Sequence, residues 1–140
     1  MSTHVSVSDD VQACLAIRRV VFIHEQGVSV EEEVDGLDPD ATHLLAYRDG
    51  QAVGTARILF KGSDAKIGRV AVLKAARGSG LGAALIKAAI DVAKDTPDVS
   101  RVVLGAQTHA LGFYETLGFS AFGPIYDDAG IPHRDMERVL

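Results

Sequence analysis

The stretch Arg69-Val70-Ala71-Val72-Leu73-Lys74-Ala75-Ala76-Arg77-Gly78-Ser79-Gly80-Leu81-Gly82 runs from an apolar, valine-containing segment into a glycine-rich turn. The turn opens a periodic helix. Leu81, Leu85, Ala88 and Val92 recur at spacings of four, three and four, which places them on one apolar face, and Asp95 ahead of Pro97 marks its end. The first N–H groups of a helix have no intrahelical partners, and the helix dipole adds positive potential there, so this junction favours an anion. Glycines let phosphate oxygens approach the backbone, and Arg77 adds positive charge.

Three phosphate-binding patterns compete for this turn, and spacing separates them. A Walker A loop needs Gly-Lys-Ser/Thr at its end, whereas Gly82 is followed by Ala83 and Ala84. The dinucleotide fingerprint is met by Gly78, Gly80 and Ala83, but Lys74 to Arg77 intervene between strand and first glycine, and Asp98 precedes the next strand rather than following it. Tight packing alone is the remaining structural explanation.

Working outward, Val5-Ser6-Val7 reads as an extended start, with Ser8 as the N-cap of a helix reaching Phe22 or beyond. His43–Tyr47 and Ala52–Phe60 flank the turn-forming Asp49-Gly50, and Lys66–Leu73 completes an antiparallel meander. Arg101–Ala106 reads as a strand, Thr108 as the cap of a helix from His109 to Leu117 ended by Gly118, and residues 119–140 as two strands around Asp127-Asp128-Ala129-Gly130. The sum is an α+β fold, a mostly antiparallel sheet with one strand–helix–strand crossover between residues 66 and 106.

At 140 residues, 47% hydrophobic and 24% charged, the chain is expected to be one self-folding domain. Its 19 acids outnumber its 14 Lys and Arg, giving a net charge of −5, which disfavours nucleic acid and anionic lipid as partners. Seven acids fall between Glu25 and Asp40. Cys14 alone forms no internal disulfide and suits a reducing cytoplasm. No segment has the length of a membrane span or the pattern of a signal peptide, and no His/Cys spacing suggests a metal site.

The pattern Arg77-x-x-Gly80-x-Gly82 after Arg69-Val70-Ala71-Val72 resembles the phosphate turn of the GNAT superfamily of N-acetyltransferases. About 30 residues on, Gln107-Thr108-His109-Ala110-Leu111-Gly112-Phe113-Tyr114-Glu115-Thr116-Leu117-Gly118-Phe119 resembles its second signature, with Gln107 where many members carry Asn. Val21-Phe22-Ile23-His24-Glu25-Gln26-Gly27-Val28 and Ala129-Gly130-Ile131-Pro132-His133 resemble a YjcF-like bacterial branch.

The resemblance implies an acetyl-CoA cosubstrate and a small amine acceptor, with no metal, and leaves a homodimer open. The central strands would splay to form an acyl-CoA slot. The backbone of Val70, Ala71 and Val72 would pair with pantetheine; Arg77, Gly78, Ser79, Gly80, Leu81 and Gly82 would hold the diphosphate; Gln107 and Phe113 would flank the donor. Tyr114 matches the phenol that stands near the thioester sulfur. A phenol titrates about 1.5 units above a thiol, so hydrogen bonding to the leaving thiolate suffices.

An ammonium acceptor must also lose a proton. Gly68 and Arg69 stand where some relatives carry a carboxylate, leaving His43 and His133 as the expected bases. Glu32, Glu33 and His109 are candidate acceptor contacts. Arg57 and Arg69 would bind an acceptor anion or, alternatively, neutralise nearby acids. The acidic stretch would draw in a cationic amine or simply stay solvated. Without a competent base, the domain would instead be a noncatalytic acyl-CoA-binding regulatory module.

Overall fold

In the computed structural model, which describes residues 2–140, a seven-stranded sheet runs in the order β1-β2-β3-β4-β5-β7-β6. Strand β1 (Thr3–Ser8) pairs antiparallel with β2 (Thr42–Arg48), and the meander continues through β3 (Gln51–Lys61) to β4 (Asp64–Val72). The crossover helix α3 (Leu81–Lys94) leads to β5 (Arg101–Gln107), which is parallel to β4. Strand β5 then pairs antiparallel with β7 (Ile131–Val139), and β6 (Ser120–Asp128) forms the far edge.

Helices cover both faces of the sheet. Leu81, Leu85, Ile86, Ala89, Ile90 and Ala93 form the buried stripe of α3, packed in the cluster that includes Leu44, Ile58, Ile67, Val102 and Met136. On the opposite face, Cys14, Ile17 and Val21 pack with Leu45 and Ala71. Successive strand residues point to opposite faces, so a strand covered on both sides shows a continuous buried run, as in His43–Ala46. Gly54 permits the close approach of β3 and α3: a Cβ there would lie 3.2 Å from both Ala46 Cβ and Leu85 Cδ1, and 3.3 Å from the Ala71 carbonyl oxygen.

Two caps differ from expectation. Ser8 ends β1, and the N-cap of α1 (Val11–Arg18) is Asp10, whose carboxylate accepts from Ala13 N–H at 3.1 Å. The expected helix from His109 is divided: Thr108–Ala110 forms one 3₁₀ turn, and α4 spans only Leu111–Glu115, without a side-chain cap. Beyond α1 the chain continues as a π-helix through Arg19–Glu25, a geometry that appears mostly as short insertions near functional sites, and then as the single-turn α2 (Val30–Glu33).

One irregularity positions the site. Arg57 pairs with Gly68 and Thr55 with Ala71, so Arg69 and Val70 together oppose Ala56. This is a β-bulge, and Arg69 takes a left-handed φ of +51° within it. Bulges bend and twist their strand. Pairing between β4 and β5 is confined to Asp64↔Arg101, Ala65↔Val102 and Lys66↔Val103, and the two strands separate beyond it.

Candidate active site

The divergence of β4 and β5 leaves facing backbone edges, and a cavity of about 510 Å³ opens beside them, lined by Gly68, Arg69 and Val70 on one side and Leu104, Gly105 and Gln107 on the other. A more open groove continues from it toward Val72 and Arg77, sharing Gln26, Val70, Gln107 and Ile131 with the cavity. An extended, amide-bearing molecule would meet unpaired main-chain groups here, the arrangement used when a peptide adds a strand to a sheet.

At the far end of the groove, Gly78 and Gly80 have φ of +80° and +82°, a region that favours glycine. Gly80 is the N-cap of α3, and its carbonyl accepts from Ala84 N–H at 3.0 Å. No side chain caps this helix, so the amides of Leu81, Gly82 and Ala83 are left for an anion. The Ser79 hydroxyl donates to the Ala76 carbonyl. Arg77 stands beside this turn with both ends of its guanidinium engaged: its Nε donates to the Val72 carbonyl at 2.9 Å, and its terminal nitrogen donates to both oxygens of Glu25 at 2.8 and 2.9 Å.

Tyr114 lies in α4 and lines the cavity. The ring stands edge-on to Phe113 and Phe119, with centroids 5.0 and 6.0 Å away, and its hydroxyl makes no hydrogen bond among the described residues. Burial pushes the phenol above its usual value, which keeps it protonated at neutral pH. Phe113 is partly exposed, and its ring tip lies beside the start of α3, 3.7 Å from where a Gly82 Cβ would stand. Gln107 donates to the Gln26 side chain at 3.1 Å and accepts at 2.7 Å from His109 Nε2. His109 therefore lies by the groove rather than the main cavity.

The two expected bases are in different environments. His133 lines the cavity, and its Nδ1 is 2.7 Å from the Ile131 carbonyl. A carbonyl only accepts, so Nδ1 carries the hydrogen and Nε2 presents a lone pair. Tyr126, which the sequence did not mark out, stacks on this ring at 6.0 Å and donates its hydroxyl to Asp135 at 2.7 Å. Burial and the Asp135 carboxylate raise the Tyr126 phenol. Gly105 makes room for that hydroxyl, since a Cβ there would overlap it.

His43 does not line the cavity, which corrects its expected role as base. It is buried, its Nε2 donates to the Asp38 carbonyl at 2.9 Å, and its Nδ1 has no hydrogen-bond partner among the described residues.

The acidic stretch divides in two: Glu33, Asp35 and Asp38 enter an ion-pair network, while Glu31, Glu32 and Asp40 stay exposed. Arg18, only 1% exposed, donates to both Glu33 oxygens at 2.8 Å and to Asp38 at 2.7 Å. Arg57 joins Asp38 at 3.1 Å to Asp35 at 3.0 Å, and Arg69 reaches Glu33 at 2.8 Å and Asp35 at 3.3 Å. Glu33, Arg57 and Arg69 all line the cavity and are mutually neutralised there, which is the alternative role expected of the two arginines. Of the expected acidic contacts, Glu32 lines the cavity outside this network; the exposed Asp128 does likewise and was not foreseen.

A hydrogen bond from Arg57 holds the Asp35 carboxyl well below the usual range. Burial opposes ionisation of Asp38, but hydrogen bonds from Arg18 and Arg57 outweigh it and lower that carboxyl too. Both groups titrate lower folded than unfolded, so their stabilisation is complete above about pH 4 and is lost as pH falls through the folded values. Thermal midpoints measured from pH 6 to pH 3 are expected to drop below pH 4; a midpoint that holds constant to pH 3 contradicts this linkage.

Among the described residues, no group of three or more His, Cys, Asp and Glu side chains is placed to hold a metal ion, and no helix is long and apolar enough to cross a membrane. Residues 11–140 match the model of the acetyltransferase (GNAT) domain. The chain is 37% identical to the N-acetyltransferase YjcF of Bacillus subtilis over 121 residues, covering 86% of each protein. It superimposes on the crystal structure of an acyl-CoA N-acyltransferase from Pseudomonas aeruginosa with a TM-score of 0.87 and 36% identity, over 98% of this chain and 99% of the other. For Escherichia coli ElaA the values are 0.86, 30%, 98% and 99%. With the bulged β4, the split from β5 and the uncapped glycine turn in place, this chain belongs to the GNAT acetyltransferase family.

Proposed function

We propose that the protein transfers an acetyl group from acetyl-CoA to the primary amine of a small molecule by direct attack in a ternary complex. The observation that supports this most strongly is the pairing of two unengaged groups in one cavity wall: the Tyr114 hydroxyl and the His133 Nε2 lone pair. The diphosphate would rest on the amides opening α3, and pantetheine would lie against the separated edges of β4 and β5. His133 Nε2 takes the ammonium proton, and the free amine attacks the thioester carbonyl carbon. The carbon–sulfur bond then breaks, the departing thiolate meets the Tyr114 O–H, and the second proton shed by the attacking nitrogen ends on sulfur as the CoA thiol. Because the phenol titrates above a thiol, it stabilises that charge chiefly as a hydrogen-bond donor.

Glu32 and Asp128, outside the ion-pair network, favour a cationic acceptor. The one cysteine, Cys14, is buried and fits a reducing cytoplasm. His133→Gln keeps a polar side chain of similar size but supplies no base. It is expected to lower kcat/KM about 10²-fold and to remove the ionisation on the acidic side of the pH–rate profile. An unchanged profile would exclude His133 as the base.

A further inference from the structure

The last residue of the π-helical segment, Glu25, and its C-cap, Gln26, reach opposite sides of the groove. Glu25 holds Arg77, at the start of the glycine turn after β4, through both carboxylate oxygens. Its neighbour Gln26 accepts from Gln107, the last residue of β5. Residues 25 and 26 therefore span the interval where β4 and β5 separate.

The Glu25–Arg77 contact is partly exposed, at 31% and 42%, so it is a weak tie that an incoming anion can replace. Arg77 has a second anchor, its Nε–H donated to the Val72 carbonyl, which holds the guanidinium at the groove whether or not Glu25 is engaged. Glu25 also lines that groove, so its negative charge faces the same space as a bound diphosphate.

We propose that Glu25 is an electrostatic clasp that competes with the donor's diphosphate for Arg77 and so weakens retention of CoA. The proposal rests on the donor reading above. Arg77 exchanges one carboxylate for phosphate oxygens when the donor enters, and Glu25 recovers it when CoA leaves. Glu25 is thus a residue that sets affinity for the diphosphate, while the amides of α3 provide the cradle itself. One unit of like charge at this range, partly screened by water, is worth about three- to tenfold in affinity.

Calorimetric titration of wild type, Glu25→Gln and Glu25→Ala with CoA and with pantetheine, which lacks the phosphates, tests this directly. Both variants are expected to bind CoA about three- to tenfold more tightly at low salt, with pantetheine affinity unchanged. The gain should shrink in roughly 0.5 M NaCl, where exposed charges are screened. CoA affinity that stays the same, or falls together with pantetheine affinity as it would if Glu25 only braced the turn, overturns the proposal. Wild-type protein that binds neither ligand overturns the donor reading with it.

Discussion

A Tyr114→Phe variant is expected to bind CoA within about threefold of wild type and to turn over about 10²–10³-fold more slowly in kcat. The substitution removes one oxygen and leaves the edge-on contacts with Phe113 and Phe119, so packing around α4 is retained. What is lost acts only as the thiolate forms. The Tyr114 hydroxyl is free in the cavity wall, whereas the Tyr126 hydroxyl is committed to Asp135 and cannot replace it without breaking that bond. Steady-state kinetics with saturating donor measure the effect, and a kcat within threefold of wild type would remove Tyr114 from the chemistry.

The largest effect on stability is expected at Arg18. Replacing it with Ala leaves Glu33, which is 2% exposed, paired only with Arg69, and Asp38 paired only with Arg57. Breaking a buried pair from one side costs about 3–5 kcal/mol, which for a domain of this size lowers Tm by roughly 10–15 °C. The triple variant with Arg18→Met, Glu33→Gln and Asp38→Asn removes the stranded charge and should recover much of that loss. Urea unfolding of both variants is the check; a loss below about 1 kcal/mol for Arg18→Ala would mean that the network behaves like a surface pair.

Local pattern was enough for the β2–β4 meander, the crossover helix and the glycine turn, because each depends on nearby residues: the Asp49-Gly50 turn, the apolar periodicity that starts at Leu81, and glycines at positive φ. The β4 bulge was not legible. Arg69 adopts a left-handed φ that its side chain does not favour, and it does so where its guanidinium meets Glu33 and Asp35, partners more than thirty residues earlier. The same non-locality hid the fate of the acidic stretch, since Arg18, Arg57 and Arg69 come from a helix and two strands.

For the candidate site, the resemblance brought Tyr114 and His133 to attention, but only the fold distinguishes His133, which lines the cavity, from His43, buried against the Asp38 carbonyl. Tyr126 escaped notice because its importance lies in stacking on a residue seven positions away across the β6–β7 hairpin. The aromatic carries no motif of its own.

Amine-dependent thiol release is the most direct measurement of the central claim. Purified protein is mixed with acetyl-CoA and a panel of small primary amines, and free CoA thiol is followed continuously. The expected result is release that saturates with at least one cationic amine, yields the N-acetyl product in equal amount, and falls about 10²–10³-fold in Tyr114→Phe. Bound acetyl-CoA that releases no thiol across the panel, or releases it at a rate independent of amine, would contradict direct acetyl transfer at this site.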